Sequence, residues 1–146
     1  MNPINGNLHT GGCRCGAIRF EVDGEPEMTS YCHCADCRKA TGAPVAAYVG
    51  FGADAVSFIG DKLRTFANGP VTRSFCAVCG SPISYFDRRI PGRVYFMLGA
   101  MDAPENYKPT VHAFMKEKLP FVHMPDGLPT SETFSVERSN ENAETD

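Results

Sequence analysis

Read for its hydrophobic and polar positions, the chain is a succession of short alternating runs. Ile18-Arg19-Phe20-Glu21-Val22 places an apolar side chain at every second position, the period of a strand with one buried face. Comparable runs occur at 45–49, 56–59, 63–66, 71–75, 83–86 and 94–98, with a last one at 111–115. Turn-forming residues fill the gaps, as at Asp23-Gly24, Gly60-Asp61, Asn68-Gly69-Pro70 and Pro91-Gly92. Many short strands with frequent turn signals predict an all-β sandwich, barrel or folded sheet. No long amphipathic helix is visible; helical turns are expected only at 35–40 and 104–107.

The same pattern divides the chain. Residues 1–10 read as a lead-in, 11–136 as a single domain, and 137–146 as a polar, acidic tail without periodicity that is expected to be disordered. No apolar run is long enough for a membrane helix. The first twelve residues lack the basic start and apolar stretch of a signal peptide, so a cytoplasmic location is expected. Net charge is −3 and the pI about 5.8, without a basic stripe, so nucleic acid is not an expected partner. Positive charge gathers locally at Arg38 and Lys39 and at Arg88, Arg89 and Arg93. Each group reads first as solvated surface.

The seven cysteines change the picture. All lie in three clusters: Cys13-Arg14-Cys15-Gly16, Cys32-His33-Cys34-Ala35-Asp36-Cys37 and Cys76-Ala77-Val78-Cys79-Gly80. Gaps of one or two residues let neighbouring thiolates reach one tetrahedral ion. An odd count and a reducing compartment disfavour disulfides. Thioredoxin-type chemistry needs a strand-to-helix turn in a βαβ unit, and none surrounds Cys76. A sulfoxide reductase needs a redox cysteine outside the metal clusters, and there is none.

Metal binding accounts for all seven, and zinc leads among soft-ligand metals. Cys13, Cys15, Cys76 and Cys79 form two knuckles, each closed by a glycine that supplies positive φ. Paired, they would build a four-thiolate site across more than 60 residues. Cys32, Cys34 and Cys37 would then hold a second ion with one position open. His33 remains an alternative fourth ligand, and Asp36 reads as the cap of a short helix.

These motifs resemble a known family. Gly12-Cys13-x-Cys15-Gly16, Cys32-His33-Cys34-x-x-Cys37-Arg38-Lys39 with Thr41-Gly42, and Phe75-Cys76-x-x-Cys79-Gly80-Ser81 are similar to the glutathione-dependent formaldehyde-activating enzymes, a family that includes centromere protein V. Leu98-Gly99-Ala100-Met101-Asp102 and His112-Ala113-Phe114 resemble its later segments. The resemblance implies a zinc-clipped β-tent of several short coiled antiparallel sheets, related to methionine sulfoxide reductase B. It implies two zinc ions: a structural one on Cys13, Cys15, Cys76 and Cys79, and a catalytic one on Cys32, Cys34 and Cys37. It also implies a carbon–sulfur lyase acting on glutathione or S-hydroxymethylglutathione. Members often carry a tryptophan after the His-x-Phe segment; here there is none, and Phe121 stands in that region.

A three-thiolate ion carries net negative charge, and Arg38 and Lys39 could offset it and meet the carboxylates of an acidic thiol. The competing reading makes both ions structural and the protein a binding module. An open position on the second ion separates the two.

Overall fold

The computed structural model describes residues 8–139. Strand β2 (Arg19–Asp23) realises the first alternating run: Phe20 and Val22 are buried, while Glu21 and Asp23 face water. The other expected runs each overlap a strand: β4 (Ala46–Gly52), β5 (Val56–Ile59), β6 (Leu63–Asn68), β7 (Val71–Cys76), β8 (Pro82–Asp87), β9 (Arg93–Met97) and β10 (His112–Ala113). β10 is shorter than its run because Phe114 turns the backbone into the left-handed region, at φ 57°, and a 3₁₀ turn follows at Met115–Glu117. The expected helical turns are α1 (Ala35–Thr41) and a 3₁₀ turn at Pro104–Asn106.

Two strands were not foreseen. β1 (Leu8–Gly12) begins inside the expected lead-in and ends in two glycines. Gly11 is required there, since a Cβ would collide with the Phe20 ring and the Ala100 carbonyl. β3 (Met28–Cys32) buries Ser30 and Cys32, a small polar residue and a thiol, so hydrophobic patterning does not register it.

The strands form two sheets. One has the order β1-β2-β5, and the other β10-β3-β4-β9-β8-β7-β6. All pairings between the described strands are antiparallel except β10 with β3, which pairs His112 with Tyr31 and Ala113 with Cys32 in parallel. The architecture is all-β, as expected, but the one parallel pair departs from a purely antiparallel arrangement. Among the described residues, no helix is long and apolar enough to cross a membrane.

β4 is buried over most of its length because it serves two cores. Val49 and Phe51 join Ile18, Phe20, Ile83 and Phe96 in the larger one, which includes Cys13 and Cys76. Phe20 stacks on Phe96 at 4.0 Å between ring centroids. Ala46 and Tyr48 join Tyr95 and Ala113 in the smaller one, which includes Cys32 and Cys37. Each cysteine set is thus rooted in a different core.

The start of the expected tail is tied to the domain: Ser139 N donates to Arg89 O at 3.1 Å, and Arg138 packs near Asp87. Residues 140–146 lie outside the described part of the chain.

Candidate metal centres

The turn after β1 carries the first two thiols. Cys13 N donates to Ile18 O at 3.1 Å, and Ile18 N returns a hydrogen bond to Cys13 Sγ at 3.3 Å. Gly16 and Gly80 have φ of 86° and 77°, the conformation expected of the knuckle glycines. The turn after β7 repeats the device. Val78 N and Cys79 N both donate to Cys76 Sγ, at 3.3 and 3.5 Å. The two turns meet, with Cys15 Sγ 3.6 Å from Cys13 Sγ and 3.8 Å from Cys76 Sγ. All four sulfurs lie within 4.8 Å of one another. A tetrahedral ion ~2.3 Å from each sulfur separates them by about 3.8 Å. The set therefore fits a metal ion without rearrangement.

The second group gathers from two consecutive elements. Cys32 ends β3, Cys34 occupies the N-cap of α1, and Cys37 lies in its first turn. Cys34 Sγ accepts from Cys37 N at 3.2 Å, so a thiol caps this helix and Asp36 does not. Cys37 Sγ is 3.4 Å from Cys32 Sγ, and the three sulfurs again lie within 4.8 Å of one another. Three thiolates this close repel unless a cation lies among them. The donor set fits a metal ion, and among the described residues it includes no fourth ligand.

His33 is not part of that group. Its ring is buried, and Nε2 lies 2.9 Å from His112 Nδ1. His112 Nε2 in turn lies 2.8 Å from Asp126 Oδ2. Burial lowers the pKa of His33, and the neighbouring His112 lowers it further.

Sequence reasoning missed the groups that touch Cys37. The Tyr48 hydroxyl donates to Cys37 Sγ at 3.2 Å. Arg73 Nη1 reaches the Tyr48 oxygen at 3.1 Å, and Nη2 reaches Asp36 Oδ2 at 3.1 Å and Cys37 Sγ at 3.7 Å. Contacts with Cys32 and Cys34, assisted by Tyr48 and Arg73, hold the Cys37 thiol far below the ordinary thiol range. Burial alone would weaken the charge on Arg73, but Tyr48 and Cys37 more than offset it.

The two expected cations are placed differently. Arg38 Nη1 donates to the carbonyls of His33 and Glu117, both at 2.7 Å, and so pins the cysteine loop. Lys39 is exposed and lines a groove that also reaches Arg73. Beside Cys32 and Cys37 lies a separate, mostly apolar pocket of about 70 Å³, walled by Tyr48, Tyr85, Tyr95, Phe114 and Phe134. Phe121 is 72% exposed and lies outside that lining.

Residues 8–117 match the profile of the family described as glutathione-dependent formaldehyde-activating enzyme. A Halomonas elongata protein, named provisionally for the same activity, is 29% identical over 135 residues, covering 80% of this chain and 81% of its own. A crystal structure of a Rhodobacter sphaeroides protein superposes with a TM-score of 0.54 at 20% identity. It covers 84% of this chain and 99% of its own, and so shares the fold.

Proposed function

This chain belongs to the glutathione-dependent formaldehyde-activating enzyme family, and on that basis we propose that it is a zinc-dependent carbon–sulfur lyase. Its substrate would be the adduct of a small thiol with an aldehyde, of the S-hydroxymethylglutathione type. Two zinc ions per chain are inferred from thiolate-only donor sets. Cys13, Cys15, Cys76 and Cys79 would hold a structural ion. Cys32, Cys34 and Cys37 would hold the catalytic one. Reduced thiols at all seven positions fit a reducing compartment such as the cytoplasm.

The observation that carries this reading is a three-sulfur group beside a pocket, with His33 turned to His112 instead of completing the set. Zinc held there would supply an open position that keeps an incoming thiol deprotonated. The chain's own groups do the rest. Tyr48 and Arg73 donate toward Cys37 and offset the negative charge of the centre. The tyrosine-rich wall would flank the adduct carbon. Lys39, which lines the neighbouring groove, would meet a carboxylate of the thiol. Cleavage breaks the C–S bond; the sulfur keeps the electron pair, and the adduct hydroxyl gives its proton to solvent as the carbonyl forms.

The test is exchange of ¹³C-labelled hydroxymethylglutathione with free formaldehyde, followed by NMR with the zinc-loaded protein. Exchange faster than the spontaneous rate is expected. Cys34→Ser should abolish it, and Tyr48→Phe should slow it by about tenfold, the loss of one hydrogen bond to a charged group. Exchange at the spontaneous rate with zinc bound would overturn the reading.

A further inference from the structure

The outer wall of the pocket comes from a part of the chain that the family profile does not reach. The profile ends at residue 117, whereas Phe134, Ser135, Val136 and Arg138 line the pocket from its far side. This segment is fastened at two points. At one end, Phe114 N donates to Thr133 O at 2.8 Å, and Met115 N donates to Ser131 O at 2.9 Å. At the other, Arg138 Nε donates to the buried Asp87 carboxylate at 3.2 Å, and Nη2 donates to the Tyr85 hydroxyl at 3.3 Å.

Between these anchors Phe134 is held from several sides. The Arg138 guanidinium stacks over its ring at 4.0 Å, with that of Arg89 at 5.5 Å. Phe114 meets it edge-on, with ring centroids 4.9 Å apart. Phe114 itself is the only non-glycine residue with positive φ among the described residues. Strain of this kind persists where surrounding contacts fix it and concentrates at functional sites. Phe134 is 41% exposed and lines the pocket, so it stands between the pocket and solvent.

Resting on the lyase reading, we propose that Phe134 is the specificity-determining residue of this pocket and that the carbonyl partner is a short aliphatic aldehyde of up to about three carbons. A space of about 70 Å³ holds a few water-sized groups. A methyl or ethyl group on the adduct carbon fits against the tyrosine wall, and a phenyl ring meets Phe134. The chemistry is unchanged by chain length: the C–S bond breaks, the thiolate keeps the pair, the hydroxyl proton passes to solvent, and the aldehyde leaves without redox change.

The experiment compares zinc-loaded wild type, Phe134→Ala and Phe134→Leu. Exchange of the glutathione adducts of formaldehyde, acetaldehyde, propionaldehyde and benzaldehyde is followed by NMR. Binding of ethanethiol, propanethiol and benzyl mercaptan is followed by calorimetry. The wild type is expected to accelerate the aliphatic adducts and not the benzaldehyde adduct. Phe134→Ala should raise the ratio of benzaldehyde to propionaldehyde exchange at least tenfold, and Phe134→Leu should move it less. Unchanged ratios, with the formaldehyde adduct accelerated in all three proteins, overturn the size limit and leave the lyase reading intact. If no adduct is accelerated, the lyase reading fails and the thiols decide the pocket. A benzyl mercaptan exclusion lost in Phe134→Ala supports the role of Phe134; identical binding in all three proteins overturns it.

Discussion

Asp87 shows how one residue can hold a pocket wall in place. Its carboxylate is fully buried and accepts from Arg89 N, Nε and Nη2, from Arg138 Nε and from the Tyr85 hydroxyl. Burial alone would raise its pKa, but Arg89 and Arg138 outweigh burial and hold it below the ordinary 3.8. A carboxyl with a depressed folded pKa contributes stability that is fully present above the unfolded value. That contribution is lost as pH falls through the folded value. Asp87→Asn is therefore expected to destabilise the protein near pH 7 by about 3–5 kcal/mol, the cost of breaking a buried ion pair. The difference from wild type should shrink as pH falls below 3.8. Thermal unfolding of both proteins across that range checks it, since loss of metal in acid affects both alike. A difference that does not change with pH would contradict the assignment.

At the scale of elements, the four-cysteine group joins the turn after β1 to the turn after β7, whereas the three-cysteine group lies within one β3–α1 connection. Metal binding to residues that the unfolded chain holds far apart is part of the folding free energy. Cys76→Ser is accordingly expected to lower the unfolding temperature much more than Cys34→Ser. Equal losses would show that the two groups do not differ in this way. Which elements exist was legible where side chains alternate, as in β2 and β5. It was not legible in β1, where Gly11 answers to a Phe20 ring from the next strand, or in β3, where the inward residues are Ser30 and Cys32. The cysteine groups were legible because short gaps are local geometry. Arg73 was not, because its place beside Cys37 depends on how β7 lies against α1, and Tyr48 is hidden in an apolar strand that reads only as core.

For the whole molecule, the two groups sit in separate cores that share β4. Elemental analysis is expected to give two zinc ions per chain. Removing them with a strong chelator should cost cooperative unfolding, because each core loses its anchor. One ion per chain, or none with freely titrating thiols, would sink the two-ion assignment.

The wall formed by Phe134 and Arg138 also has a consequence in time. The chain is made from its N-terminus, and domains begin to fold as they emerge. Cys32, Cys34 and Cys37 leave the ribosome well before Cys79, and the residues that cover the pocket, Phe134 to Arg138, leave after both cysteine groups. The three-thiol group is therefore open to solvent metal until residues 134–138 emerge to cover it. Loading comes before closure, so a nascent chain truncated ahead of Phe134 would present a metal-binding surface in place of a selective pocket.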